Sequence, residues 1–179
     1  NPAVGSTKIV LENSHFIATE TALLVNIPST VNIENCEFSG NHQAAFLRGG
    51  TYTIKNSSFT LKAELESTHS ENNHMKQWQD GNRAAFAGIT IGNYLSSAYQ
   101  YPTTVAMTGV TVKVEGTHAS SFPAVHVCAN AAEDKGVTLT YDNSCSFTST
   151  YDPGVEYGTT NITVNGEAVK SNVKQETSN

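Results

Sequence analysis

Apolar and polar residues alternate in six short segments of this chain: IVLENSHF (9–16), VNIENCEF (31–38), YTIKNSSF (52–59), VAMTGVTV (105–112), LTYDNSCSF (139–147) and ITVNGEAV (162–169). Superposed, they place Ile9, Val31, Tyr52, Val105, Leu139 and Ile162 in one column and Leu11, Ile33, Ile54, Met107, Tyr141 and Val164 in a second. A period of two sets both columns on the same face of a β-strand and predicts that this face is buried. Two positions further on stand Asn13, Asn35, Asn56, Gly109, Asn143 and Gly166. Asn and Gly take left-handed backbone more readily than other residues, so this column predicts a turn at the end of each strand. If the strands stack at about 4.8 Å, the Asn amides can also hydrogen-bond up the stack. The Phe that follows is expected to fill the core beyond the corner. In the fifth segment it comes one residue late, which predicts a bulge.

The turn column is spaced 22, 21, 53, 34 and 23 residues apart. A basic period near 22, enlarged by insertions, is too short for a strand–helix–strand unit and fits one turn of a β-solenoid. A second strand per turn is read at ETALLVN (20–26), QAAFLRG (43–49), RAAFAGITI (83–91) and PAVHVCA (123–129). Leu23, Ala45, Ala85 and Val125 form one parity there, and Leu24, Phe46, Phe86 and His126 the other. Both are largely apolar, so both faces should be covered, either by an insertion or by a partner. His126 is read as a packing residue. Leucine-rich repeats share the period, but their Asn stands further from the last Leu of the strand, and no helical period follows the Asn here.

The NCEF and NSSF corners resemble the Asn-ladder turns of the right-handed parallel β-helix, and about residues 8–170 resemble the pectin-lyase-like superfamily. More narrowly, NRAAFAGITIGN and KGVTLTYDN resemble uncharacterised bacterial cell-surface β-helix domains. The resemblance implies an all-β fold: one domain over 1–179, a right-handed parallel β-helix (solenoid) of about six turns and roughly 30 Å in length. Insertions at 60–82 and 92–103 would sit beside its third turn, with a polar tail at 171–179. The superfamily includes pectate lyases, polygalacturonases, phage tailspikes and non-catalytic surface domains, so the fold alone implies no single activity.

Composition narrows the partners. A net charge of −6 with only Arg48 and Arg83 as arginines argues against nucleic acid or an anionic membrane as ligand. No apolar run approaches the roughly 20 residues of a membrane span, and the N-terminal residues lack the regions of a signal peptide. Ser, Thr, Asn and Gly abound and only 15% of residues are charged, a balance that predicts an extracellular or cell-surface protein whose targeting segment has been removed. Cys36, Cys128 and Cys145 allow at most one disulfide; with no CxxC pair and no His at metal-ligand spacing beside one, they are read as small buried side chains, not zinc ligands.

Candidate chemistry concentrates in the insertions. They carry Trp78, the only tryptophan, with Tyr94, Tyr99 and Tyr101, and the polar neighbours Asp80, Arg83 and Gln100. Aromatic rings beside hydrogen-bonding groups suit sugars, whose C–H faces are apolar and whose rims are polar. The alternative is that the loops fold back and use these rings to cover the body, with KAELESTH as a short helix. Hydrolysis or elimination would need close carboxylates or a calcium-binding acidic cluster with a basic residue. Asp80, Asp134, Asp142 and Asp152 are scattered, and no acidic cluster surrounds either arginine. AEDKG (132–136) is a weak calcium candidate. His69 or His74 could pair with Tyr94 or Tyr99 as acid and base, and Asn56 and Asn161 open glycosylation sequons, Asn56 being expected to point inward. The expected function is a non-catalytic extracellular recognition or adhesion module for a glycan, within a larger surface protein and with no cofactor or metal. A polysaccharide lyase or glycoside hydrolase is the alternative, and a structural spacer the second.

Overall fold

The computed structural model describes residues 6–64, 75–77, 83–93, 100–129, 135–158 and 161–172, the side chains of 75–77, 83–85, 93 and 129 excepted. It is all-β, with three mostly parallel sheets. The first contains β1 (Lys8–Glu12), β4 (Ser29–Glu34), β7 (Gly50–Lys55), β12 (Thr103–Thr108), β15 (Val137–Tyr141) and β18 (Ile162–Val164), and closes with β19 (Glu167–Ala168). The second contains β2 (His15–Ile17), β5 (Glu37–Gly40), β8 (Ser58–Lys62), β13 (Thr111–Glu115) and β16 (Ser146–Thr148). The third contains β3 (Thr21–Val25), β6 (Gln43–Leu47), β11 (Ala87–Asn93), β14 (Val125–Ala129) and β17 (Val155–Tyr157). An antiparallel pair, β9 (Met75–Gln77) and β10 (Arg83–Ala85), stands apart. The chain visits the three sheets in fixed rotation, each circuit stacking on the last, an arrangement consistent with a parallel β-helix. The sequence reading expected two strands per circuit. The third, in the second sheet, was hidden because it is short and carries one or two core residues, too few for a visible alternation.

The corners between the first and second sheets form as expected. Asn13, Asn35, Asn56 and Gly109 have φ of 50°, 53°, 47° and 65°. Each amide N–H at the three asparagines bonds across to the next circuit: Asn13 to the Glu34 carbonyl (3.1 Å), Asn35 to Lys55 (3.2 Å) and Asn56 to Thr108 (3.0 Å). The Asn35 side-chain amide donates to Asn13 Oδ1 at 3.4 Å, one rung of the expected ladder. Gly109 fits because a Cβ there would lie 2.6 Å from Asn56 Oδ1. Asn56 is exposed, not turned inward. Beyond the corner, Phe16, Phe38 and Phe59 stack with centroids 4.8 Å apart and planes 7° from parallel, followed in register by Val112 and Phe147.

Two corners depart from the expected column. Asn143 is not left-handed. The late-Phe segment turns instead on Asp142, whose Oδ1 accepts from the Ser144 N–H (3.0 Å) and from the Ser144 hydroxyl. These bonds hold the exposed Asp142 carboxyl below its ordinary pKa. At the last segment, Asn165 and Gly166 both have positive φ, at 49° and 88°, and join β18 to an antiparallel β19. Asn-Gly is the favoured two-residue hairpin turn, and both central residues take the positive φ that such a turn needs. The hairpin also corrects the register: Val164, not Ile162, lies opposite Leu139, and Ile162 lies opposite Val137.

In the first sheet the inward residues Val31, Ile33, Tyr52, Ile54, Val105 and Leu139 are buried. On the other face Thr30, Thr51, Thr104, Thr138 and Thr163 lie in unbroken register. Cys36 and Cys128 are buried thiols and Cys145 is half-buried, with no disulfide among them. Phe38→Ala should remove the middle of the ring stack and cost about 3–5 kcal/mol in a urea titration. At Asn35, Gly should be nearly neutral, whereas Ala should lose roughly 1–2 kcal/mol to the left-handed backbone; equal stability of the two variants would show that the corner is not under this constraint.

Candidate functional site

Strand β11 is the point at which both insertions meet the body. The sequence reading assigned RAAFAGITI to a single strand, but it divides. Arg83–Ala85 pairs antiparallel with Met75–Gln77, and Ala87–Asn93 enters the third sheet between β6 and β14. The expected partners Ala85 and Phe86 are thus replaced by Ile89 and Thr90, which lie opposite Ala45 and Phe46. Phe86 instead stacks on His42, with centroids 4.6 Å apart, and leans on Phe122 at 5.7 Å. The insertions are also shorter than expected at their edges, because β8 continues to Lys62 and β11 to Asn93.

Of the six candidate ligand residues, Trp78, Asp80, Tyr94 and Tyr99 lie outside the described residues. Trp78 and Asp80 fall in the connection between β9 and β10. Arg83 opens β10 opposite Gln77, and its side chain is outside the described set. Tyr101 is exposed just ahead of β12. His69, His74, Asp134 and most of KAELESTH and AEDKG also lie outside it.

The third sheet is covered on both faces within the chain, which resolves the choice between an insertion and a partner for its central strands. All five residues of β6 are buried. The column outside the main core runs Leu24, Phe46, Thr90, His126 and Glu156. Leu24 is exposed, but Thr90 and Glu156 have 0% and His126 3% relative exposure. Nδ1 of His126 lies 2.5 Å from Glu156 Oε2, and the Tyr151 hydroxyl donates to Glu156 Oε1 at 2.8 Å. Both carboxylate oxygens are therefore engaged, as burial of such a group requires. Hydroxyl, imidazole and carboxyl on successive strands are the groups of a nucleophile, a base and its orienting acid. Buried to this depth they offer no substrate access and act as an internal polar lock. His126 is the packing residue expected; Glu156 and Tyr151 were missed. The available signal was the match of VHV with VEY thirty residues on, two apolar residues flanking a polar one.

The described surface also holds a shallow groove of about 510 Å³ beside the Asn corners, lined by Asn35, Glu37, Asn56, Ser58 and Thr111, with Gly109 leaving it open. At its rim His15 Nδ1 lies 3.2 Å from Glu37 Oε2. Its floor is fixed: the Ser57 hydroxyl accepts from the Cys36 N–H (3.0 Å) and donates to the Lys55 carbonyl (2.7 Å). Such a lining offers hydrogen bonds and no aromatic face. Elsewhere, hydrogen bonds from Lys113 and Lys62 hold the Glu115 carboxyl below its usual range, and burial, with Tyr141 beside it, raises the Tyr157 hydroxyl. Among the described residues no group of three or more His, Cys, Asp or Glu is placed to hold a metal ion, and no helix is long and apolar enough to cross a membrane.

No family model, curated protein or solved structure matches the chain.

Glu156→Leu should leave the buried His126 and Tyr151 groups without their acceptor and cost about 2–5 kcal/mol in thermal or urea unfolding. Glu156→Gln, which keeps an acceptor oxygen, should cost less. Similar losses in both would mean that shape, not hydrogen bonding, matters at this position.

Proposed function

We propose that this chain is a right-handed parallel β-helix of about six turns that serves as an extracellular recognition or adhesion module for a glycan, without catalysis, in a larger surface or secreted protein. The right-handed sense follows from the general preference of parallel crossover connections. The pectin-lyase-like resemblance at the NCEF and NSSF corners supports the same fold. The reading rests on one observation above the rest: the two aromatic-bearing insertions join the body at opposite ends of one strand, β11, which is itself fixed between β6 and β14. Sites supported by rigid strands hold their geometry better than sites on free loops. Tyr101 lies exposed where the second insertion rejoins the first sheet. In this reading Trp78, Tyr94, Tyr99 and Tyr101 are stacking platforms, and Asp80 and Arg83 bond the sugar rim. The Ser-, Thr- and Asn-rich composition and low charge accord with an extracellular setting.

A glycan array probed with the wild type and with Trp78→Ala/Tyr99→Ala tests the reading. The expected outcome is binding by the wild type, its loss in a variant with unchanged circular dichroism, and bound oligosaccharides recovered intact. Cleaved oligosaccharides would replace recognition with catalysis. Absence of wild-type binding would favour a spacer. Binding retained by the double variant but lost in Asn56→Asp/Glu37→Gln would move the site to the groove at the Asn corners.

A further inference from the structure

The groove beside the Asn corners runs along the stack, across successive circuits and so over about 10 Å. One wall is the left-handed column Asn35, Asn56 and Gly109. The other is the outward column Glu37, Ser58 and Thr111, which lie opposite one another in the second sheet. Cys36 and Ser57 form the floor, and both are buried and already bonded. The Cys36 thiol donates to the Glu34 carbonyl at 3.3 Å and the Ser57 hydroxyl to the Lys55 carbonyl at 2.7 Å.

The walls are not satisfied in this way. A column of asparagines can bond to itself from circuit to circuit, and Asn35 does so toward Asn13, its Nδ2 donating to Oδ1 at 3.4 Å. The column stops at Gly109, so Asn56 has no amide above it. Its side chain leans over the glycine instead, with Oδ1 2.6 Å from where a Cβ would stand. Among the described residues the Asn56 amide bonds to no other side chain. Across the groove, His15 Nδ1 lies against Oε2 of Glu37 at 3.2 Å, and the second carboxylate oxygen remains for another donor.

This lining selects its ligand. With amides, hydroxyls and one carboxylate but no aromatic face, it suits a molecule that carries hydrogen-bonding groups on every edge. An anion would meet Glu37 in a chain of net charge −6. A neutral polyol would satisfy the amides and hydroxyls but bring no charge to the carboxylate. A protonated amine on a hydroxyl-bearing ring does both, and charge-assisted hydrogen bonds are roughly twice as strong as neutral ones.

We propose that this groove is a binding site for an amino sugar, its ammonium group on Glu37 and its hydroxyls shared among Asn56, Ser58 and Thr111. Gly109 makes the site: an asparagine there, as at the preceding corners, would pair with Asn56 and fill the groove. The groove contains no residue of either insertion, and this inference does not depend on the glycan reading.

NMR titration of the 179-residue chain with methyl glucosaminide tests it, with the N-acetylated sugar and methyl glucoside as comparisons. The expected result is saturable binding of the amine, about tenfold or more tighter than either comparison sugar. Glu37→Gln should weaken it about tenfold or more. Glu167→Gln, which removes the same charge from the exposed β19, should leave it unchanged and so separates recognition from the general attraction of a cation to an acidic chain. Gly109→Asn should abolish binding in a folded protein, because asparagine accepts left-handed backbone, and Asn56→Gly, which also keeps the corner, should weaken it severalfold. Trp78→Ala/Tyr99→Ala should retain it. A wild type that does not bind, equal affinity for the three sugars, equal losses in Glu37→Gln and Glu167→Gln, unimpaired binding by both corner variants, or loss in Trp78→Ala/Tyr99→Ala would each overturn the proposal.

Discussion

Every circuit of this chain must accept a like circuit one parallel-strand spacing above and below it, and the rest of the structure follows from that constraint. Phe16, Phe38 and Phe59 meet it as flat rings, stacked at the 4.8 Å at which the strands recur. Asn13 and Asn35 meet it with an amide whose donor and acceptor ends match a copy of itself. Threonine meets it on the outer face of the first sheet, where a branched side chain suits the pleat and a hydroxyl suits water. A column thus selects for residues that tolerate themselves, which is why the repeat is visible in composition as well as in spacing.

That selection explains what could be read from the sequence. The first sheet alternates cleanly because one of its faces is buried and the other is wet; Ile9, Val31, Tyr52, Val105 and Leu139 could be set opposite one another from pattern alone, and they are. The corners were legible because few residues other than Asn and Gly take left-handed backbone without strain. Failure began where these signals weaken. Asn165-Gly166 satisfies both a solenoid corner and a tight hairpin, and only pairing with Glu167–Ala168 decides between them.

The third sheet was harder because it is buried on both faces, and alternation vanishes when both parities are apolar. Nothing local told Phe46 that its neighbour would be Thr90 and not Phe86. The division of RAAFAGITI depends on β9, a strand within an insertion whose length no periodicity constrains. Glu156 was invisible for a related reason: a carboxyl reads as solvent-facing until His126 on the neighbouring strand and Tyr151 in the bend just ahead are brought to its two oxygens. As for the candidate ligand residues, the sequence already set both loops beside RAAFAGITI; the structure narrows that stretch to β11.

The hairpin at Asn165-Gly166 has a consequence for assembly. A stack of parallel strands is directional, and two complementary ends joined head to tail give the geometry of a fibre. By turning its last strand backwards, the chain presents at that end an edge of opposite sense and only two residues in length. The second and third sheets end instead in the parallel strands β16 and β17, so a further parallel circuit would meet a reversed neighbour in the first sheet alone.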